Sequence, residues 1–167
     1  MQNAGDNGAI IETLYRRHSA ALVLFAAAIA GDRARAQDAV HQVFAKLLAQ
    51  GIDHAADAKA YLFASVRNAI LNDAKTRRRE VVLDARSAWF EPPDRDYAAE
   101  LRLRQALAAL DSGQREVTVL HIWGDLTFAE IGEVLGVSPN TAASRYRYAL
   151  ARLRETMCAR EDCHAGP

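Results

Sequence analysis

The sequence of 167 residues has little of what stabilises a secreted or membrane-embedded protein. Its two cysteines, Cys158 and Cys163, both lie in the C-terminal tail, so no disulfide framework can hold the fold together. Its longest apolar run, Ala20–Ala30, is rich in alanine and far shorter than the roughly 20 residues that cross a bilayer. The N-terminus lacks the charged start and apolar core of a signal peptide. We therefore predict a cytoplasmic protein without membrane insertion.

The sequence also lacks the motifs of common enzymes. It contains no glycine-rich phosphate loop, no Gly-x-Ser-x-Gly elbow and no His-Glu-x-x-His pair, and its histidines are dispersed. We therefore predict that the protein is not an enzyme and has no catalytic residue, no metal and no cofactor. One alternative stays open, because Cys158, Cys163 and His164 could bind zinc or sense oxidants in the tail. Metal content or thiol reactivity would reveal such a sensor.

Apolar residues recur with a helical period through most of the chain, and no segment shows the sustained alternation of a strand. Three apolar stripes, which end near Gly31, Gly51 and Arg79, predict an N-terminal helical bundle over residues 8–80. Further helical pattern predicts a C-terminal domain over residues 96–160. The predicted fold is therefore all-α, with two small helical domains joined by a flexible linker.

The predicted linker covers residues 81–95, where two prolines and scattered charges interrupt the apolar period. Trp89 and Phe90 are unusual in a solvated linker, and we expect them to pack on a neighbouring domain or, alternatively, on a partner. Residues 161–167 are predicted to form a disordered tail.

The segment Leu126–Leu153 has the spacing of a helix-turn-helix. Its first helix stops at Gly136, a residue that tolerates the left-handed backbone of a tight turn. Ser138 is placed to cap the second helix, whose buried face is expected to extend to Met157. The other face carries basic and small side chains, which would allow the helix to enter the major groove of DNA. The alternative interpretation is an ordinary surface helix of an all-α protein. The predicted DNA-binding residues here are Ser138, Pro139, Asn140, Thr141, Ser144, Arg145, Arg147, Tyr148 and Arg152.

A second polar stripe lies on the third predicted helix. Aromatic residues near one end, with amides and bases beyond, can hold unstacked bases and their phosphates. The alternative is a solvated face whose terminal bases favour the helix dipole. Residues 1–79 hold 11 basic and 7 acidic side chains, so the overall neutrality of the chain conceals a basic N-terminal half. The predicted nucleic-acid residues here are Tyr61, Phe63, Ser65, Arg67, Asn68, Asn72, Lys75, Arg77, Arg78 and Arg79.

The order of these parts closely resembles the extracytoplasmic-function (ECF) sigma factors of bacterial RNA polymerase, over about residues 10–79 and 100–156. The segment 32–44 resembles the helix that docks on the polymerase clamp, and the segment 60–79 resembles the helix that recognises the minus-ten promoter element. The segment 107–155 resembles the minus-thirty-five domain most specifically, through Gln114-Arg-Glu-Val, Ile131-Gly-Glu-Val-Leu-Gly-Val-Ser and Ser144-Arg145.

The sequence departs from the family pattern at several positions. Gln37, His41 and Gln42 replace residues that are usually Glu, Gln and Glu, and Asp111 stands where proline is usual. Two positive charges are missing from the recognition helix, because Ala142-Ala143 replaces a usual Val-Lys and Tyr148 replaces a usual Arg. This loss is expected to weaken phosphate contact and its salt dependence.

The resemblance implies a sigma factor that binds the clamp and flap regions of core RNA polymerase and directs promoter recognition, melting and transcription initiation. The N-terminal domain would recognise the minus-ten element, with its loop at 50–57 capturing a flipped base, and the C-terminal domain the minus-thirty-five element. An anti-sigma factor or other regulator is an expected further partner. The alternative is a helix-turn-helix regulator that binds duplex DNA without sigma activity. The implied polymerase-binding residues are Asp32, Asp38, His41, Gln42 and Phe44.

Overall fold

The computed structural model describes residues 3–52, 58–77 and 97–161. Every regular element in these ranges is a helix, so the all-α prediction is confirmed. The predicted linker at 81–95, with Trp89 and Phe90, lies outside the described residues, as does the tail beyond Glu161. The helices are α1 (Asn3–Ala30), α2 (Arg33–Gln50), α3 (Ala58–Arg77), α4 (Tyr97–Ala108), α5 (Ser112–Ile122), α6 (Phe128–Leu135) and α7 (Pro139–Glu161).

The first three helices pack on one another as an N-terminal bundle. Gly31 adopts a φ of 67° in the sharp connection between α1 and α2, a conformation that glycine reaches without steric cost. Asp32 then caps α2 by accepting a hydrogen bond from the Arg35 N–H at 2.7 Å. The predicted apolar stripes meet in the bundle core, where the rings of Phe25 and Phe63 pack edge to face with centroids 5.6 Å apart. This core fixes α2 and α3 side by side.

The last four helices form the C-terminal unit, in which α5 and α6 both pack on α7. Asp111 caps α5 through a 2.8 Å hydrogen bond from the Gln114 N–H, which accounts for an acidic residue at this position. The Arg115 guanidinium donates to the Leu107 and Leu110 carbonyl oxygens at 3.0 and 2.7 Å. Because the Leu107 carbonyl lies in the last turn of α4 and the Leu110 carbonyl in the connection that follows, one side chain fixes the corner between α4 and α5.

The two helical units are in direct contact. Helix α3 of the N-terminal bundle packs on α6, and α1 packs on α5. Within the described ranges, no helix combines the length and the apolar character that a membrane span requires.

Candidate nucleic-acid interface

The helix-turn-helix has the local geometry that the sequence predicts. Gly136 ends α6 in the left-handed conformation, with φ 68° and ψ 37°. The Ser138 hydroxyl then accepts a hydrogen bond from the Thr141 N–H at 3.0 Å, which caps α7. Thr127 and Glu130 form a reciprocal capping box at the start of α6. The turn and both helix starts are therefore fixed by short-range hydrogen bonds.

An aromatic cluster holds α7 on the helices that precede it. The His121 ring of α5 stacks on Phe128 of α6 at 4.7 Å and meets Tyr146 of α7 edge to face at 4.6 Å. The His121 Nδ1–H donates to the Leu126 carbonyl at 2.8 Å. Sequence reasoning missed this function of His121, although its position one helical turn after Val117 placed it on the inner side of α5.

The outer face of α7 carries the predicted DNA-binding residues. Ser144 is half-buried, and its hydroxyl accepts a hydrogen bond from the Arg147 guanidinium at 3.2 Å. The prediction that Met157 is buried is wrong, because its side chain is 46% exposed near the end of α7. The exposed members of the predicted set are Ser138, Pro139, Asn140, Thr141, Arg147, Tyr148 and Arg152.

Arg145 differs from the other predicted members because it is half-buried. Its guanidinium lies against Gly113, at only 3.2 Å from where a Cβ would stand on that glycine. It lines a cavity of about 510 Å³ between α3, α5 and the helix-turn-helix, together with Arg67. Both arginines therefore face the contact between the two helical units in this conformation.

The polar face of α3 is present as predicted. Asn68, Asn72 and Lys75 are exposed, Ser65 is half-buried, and Tyr61 is 55% exposed at the start of the helix. This face borders a cavity of about 340 Å³ between α2 and α3, many times the roughly 30 Å³ share of one water molecule. Its polar lining includes Gln42, Lys46, Gln50, Tyr61, Ser65, Asn68 and Asn72.

Two members of the predicted minus-ten set do not lie on this open face. Phe63 is 1% exposed because its ring packs against Phe25 in the bundle core, so a direct contact with DNA is ruled out in this conformation. The Arg67 guanidinium instead pairs with the Glu116 carboxylate of α5, with Nε and Oε2 2.7 Å apart. The side chain of Arg77, and Arg78 and Arg79 entirely, lie outside the described residues.

The implied polymerase-binding face of α2 is divided between surface and core. Asp38, His41 and Gln42 are exposed, and Asp32 is exposed at the N-terminal cap. The prediction for Phe44 is corrected, because this residue does not lie on the exposed face. Its side chain is 4% exposed, and its ring packs edge to face against the Tyr15 ring with centroids 5.0 Å apart. Phe44 therefore lies beneath the exposed face of α2 rather than forming part of it.

Tyr15 is a residue that sequence reasoning did not select. Its hydroxyl lies 3.2 Å from the His41 Nε2, and its ring stacks over the His41 ring. Tyr15 and His41 line a groove of about 290 Å³ between α1 and α2, together with Arg33 and Gln37. In the sequence, Tyr15 is only the neighbour of Leu14 in the apolar stripe of α1. The contact of Tyr15 with α2 depends on tertiary packing, which helical periodicity does not predict.

Local environment shifts the pKa of two groups beside these surfaces. Burial lowers the pKa of His18, and the nearby positive charges of Arg17 and Lys59 lower it further. Hydrogen bonds from the Thr127 backbone N–H and hydroxyl lower the pKa of Glu130. The first shift favours the neutral form of His18, and the second favours the ionised form of Glu130.

No cluster of three metal-binding side chains occurs in the part of the chain that the structure describes. Cys158 is exposed there as a free thiol. Cys163 and His164 lie outside the described residues, so the sensor alternative is not tested.

Two family models match the chain in the order that the resemblance implied. The model of Sigma-70 region 2 matches residues 14–80, and the model of Sigma-70 region 4 matches residues 100–153. The chain is 30% identical over 163 residues to the ECF RNA polymerase sigma factor SigL of Mycobacterium tuberculosis, covering 92% of each protein. It is 29% identical over 154 residues to the RNA polymerase sigma-E factor of Streptomyces antibioticus, covering 90% of this chain and 86% of that protein.

Two solved structures have the same fold. CnrH in complex with the cytosolic domain of CnrY aligns with a TM-score of 0.68 at 25% identity, covering 95% of this chain and 94% of the other. The sigma factor RpoE in complex with the anti-sigma factor NepR from Bartonella quintana aligns with a TM-score of 0.66 at 22% identity, covering 87% and 95%. With a region 2 bundle and a region 4 helix-turn-helix in the same order, the chain belongs to the ECF family of sigma factors, which bind RNA polymerase and direct promoter-specific transcription initiation.

Proposed function

We propose that this sigma factor uses three surfaces, of which the first two meet at Gln42 of α2. The exposed face of α2 docks on the polymerase clamp, the polar face of α3 holds the melted minus-ten strand, and the outer face of α7 reads the minus-thirty-five element. In this proposal residues 8–80 act as region 2 and residues 96–160 act as region 4. The chain then acts by binding rather than by catalysis, in the cytoplasm where the polymerase works.

The observation that carries the minus-ten assignment is the cavity between α2 and α3. Amides from both helices line it, and the exposed Tyr61 ring stands at its edge. Amides can donate to and accept from base edges, while an aromatic ring offers a stacking surface. Lys46 adds a cation for a phosphate. Such a groove suits a single strand whose bases have left the duplex, and the preceding loop at 50–57 would capture the flipped base.

The energetics allow this surface to assist melting without ATP. Extruding a base costs a few kcal/mol, and less where the duplex is already opening. Stacking on an aromatic side chain returns about 1–3 kcal/mol per base. Tyr61 and the amides at Asn68 and Asn72 would therefore stabilise the open strand after it forms. Phe63 supports this face from the core.

Region 4 would bind duplex DNA through α7. Its capped start presents Asn140 and Thr141 to the solvent, with Arg147 one to two turns further along. Short polar side chains at a helix start can reach base edges in the major groove, and arginine can contact a phosphate or a guanine. Arg145 can join this surface once it leaves its place against Gly113.

Docking on polymerase would use Asp38, His41 and Gln42, with Asp32 at the start of the same helix. Both similar solved structures are complexes with a protein partner: the sigma factor RpoE with the anti-sigma factor NepR in one, and CnrH with the cytosolic domain of CnrY in the other. We therefore include an anti-sigma factor or other protein regulator among the partners of this chain.

Transcription with purified core polymerase tests the proposal. Promoters are first mapped by sequencing transcripts after controlled overexpression, and a linear duplex carrying one of them is then transcribed. Specific transcripts that require both core enzyme and this chain are the expected result. Binding to the duplex without any transcript would instead favour the helix-turn-helix regulator.

A further inference from the structure

One side chain of α1 joins the core of the N-terminal bundle to the exposed face of α2. Tyr15 is half-buried, and its ring packs edge to face on the buried ring of Phe44. The same ring also lies nearly parallel to the exposed ring of His41, with centroids 6.3 Å apart and an interplanar angle of 27°. His41 and Phe44 are neighbours on α2 because residues three positions apart lie on one side of a helix. Tyr15 is therefore packed on the core and contacts a surface residue in turn.

The hydroxyl of Tyr15 adds a directional contact to this packing. It lies 3.2 Å from the His41 Nε2, within the range of a hydrogen bond. A hydroxyl can both donate and accept, so it can pair with this ring nitrogen in either protonation state of the nitrogen. An exposed imidazole without such contacts rotates about two side-chain bonds. The hydrogen bond and the ring contact together restrict that rotation in the free protein.

His41 belongs to the face of α2 that we assign to polymerase docking. Asp38 lies three positions before it, Gln42 follows it directly, and all three side chains are exposed. Binding a partner costs free energy for each flexible side chain that becomes ordered in the interface. A side chain that is already ordered in the free protein avoids that cost. The contacts of His41 with Tyr15 therefore matter for docking as well as for the fold.

We propose that Tyr15 is a positioning residue for polymerase docking, and that it holds the His41 ring in the orientation in which this ring meets the polymerase. The proposal rests on the function proposed above, because it takes the exposed face of α2 as the docking surface. Tyr15 acts through His41 and needs no contact of its own with the polymerase. Docking then depends on a pair of residues from α1 and α2 rather than on α2 alone.

The variant Tyr15→Phe tests the proposal, because it removes the hydroxyl and keeps the ring that packs on Phe44. Thr13→Val is the matched control. It also removes a hydroxyl from α1, but the Thr13 hydroxyl donates to the Ala9 carbonyl of its own helix at 2.9 Å. Fluorescence titration of the labelled full-length protein with purified core polymerase measures the Kd. Urea denaturation confirms that each variant is folded.

We expect Tyr15→Phe to raise the Kd for core polymerase about two- to tenfold, the usual effect of having to order one side chain on binding. Thr13→Val should bind like the wild type. His41→Ala should weaken binding at least as much as Tyr15→Phe. In the His41→Ala background, Tyr15→Phe should have almost no further effect, because the ring that it positions is gone.

NMR of the imidazole nitrogens in the free protein gives a second measurement that does not depend on polymerase. The spectrum of His41→Ala assigns the His41 signals by their loss. Tyr15→Phe should shift the Nε2 signal of His41, because its hydrogen bond is removed, whereas Thr13→Val should not. An unchanged Nε2 signal in Tyr15→Phe would overturn the proposal.

Unchanged polymerase binding by Tyr15→Phe would also overturn it. Equal weakening by Tyr15→Phe in the wild-type and His41→Ala backgrounds would do the same, because Tyr15 would then act independently of His41. Asp38→Arg is measured in the same titration. Normal binding by Asp38→Arg would refute the docking face itself, whereas loss of binding by Asp38→Arg with unchanged binding by Tyr15→Phe would refute the positioning role alone.

Discussion

The Cα of Gly132 in α6 lies so close to the following turn that a Cβ there would stand 2.7 Å from the carbonyl oxygen of Val137. The backbone of the turn cannot retreat from such a contact without changing the angle between α6 and α7. We expect Gly132→Ala to destabilise the protein by about 1–3 kcal/mol, the usual effect of overpacking. Urea denaturation of the two proteins measures the difference.

Gly8→Ala is the control for this substitution. Gly8 lies inside α1, and a Cβ placed on it would meet no atom within 4 Å beyond its chain neighbours and the nearby backbone of its own helix. Alanine there should be neutral or stabilising by up to about 1 kcal/mol, because it favours the helix. Equal stability of Gly132→Ala and the wild type would mean that the turn relaxes freely.

Polymerase docking predicts a strong effect at Asp38. This carboxylate is exposed in the second turn of α2, so Asp38→Arg should leave the fold intact and abolish core binding by reversing a charge contact. Pull-down with purified core enzyme measures the effect. Glu133→Arg, an equal reversal at an exposed site on α6, should bind normally. Normal binding by Asp38→Arg would remove this face of α2 from the docking site.

Melting depends on Tyr61 and Asn68 if the α3 groove holds unstacked bases. The combined Tyr61→Ala and Asn68→Ala substitutions should impair transcription from a duplex promoter. A template with a pre-opened bubble should recover much of that activity, because its unstacking cost has already been met. Equal loss on both templates would indicate a folding or docking defect, and activity like the wild type on both would show a merely solvated face.

Recognition of the minus-thirty-five element predicts a loss at Arg145. Arg145→Ala should cost about 1–3 kcal/mol of promoter binding if the guanidinium contacts a base. Anisotropy titration of the holoenzyme on promoter DNA measures this, with the exposed Arg154 of the same helix substituted as a control. An unchanged affinity would remove Arg145 from the recognition surface.

Stability should depend on pH through His18. Its pKa is lowered in the folded protein, by burial first and then by Arg17 and Lys59. The unfolded chain therefore binds the proton more tightly, so the free energy of unfolding decreases as pH falls through the unfolded value of about 6.5. Urea denaturation between about pH 8 and pH 5.5 should show a shallower pH dependence in His18→Gln than in the wild type. Identical slopes would exclude His18 as the cause.

Local signals made the helix-turn-helix predictable. Gly136 ends one helix and Ser138 caps the next through contacts within a few residues, so the turn follows from neighbouring sequence. The polar face of α3 was predictable for a similar reason, since a helical period places its members together.

Contacts between distant residues were not predictable. Phe63 flanks the polar face of α3, and only packing against Phe25 decided that it is buried. Phe44 belongs to the apolar stripe of α2, so its period already indicated burial, and its docking role came from the resemblance. The Arg67–Glu116 pair joins residues 49 positions apart on different helical units. No periodicity in a single sequence reports such a contact.

The division of α2 into two faces has an evolutionary consequence. Val40, Val43 and Leu47 are buried and maintain the bundle, whereas Asp38 and Gln42 face outwards and contribute little to the core. Surface substitutions away from packing usually change stability by less than about 0.5 kcal/mol. In the docking role proposed for this face, selection can therefore adjust how strongly the chain binds the polymerase by changing a few outward residues, while the buried residues keep the bundle folded.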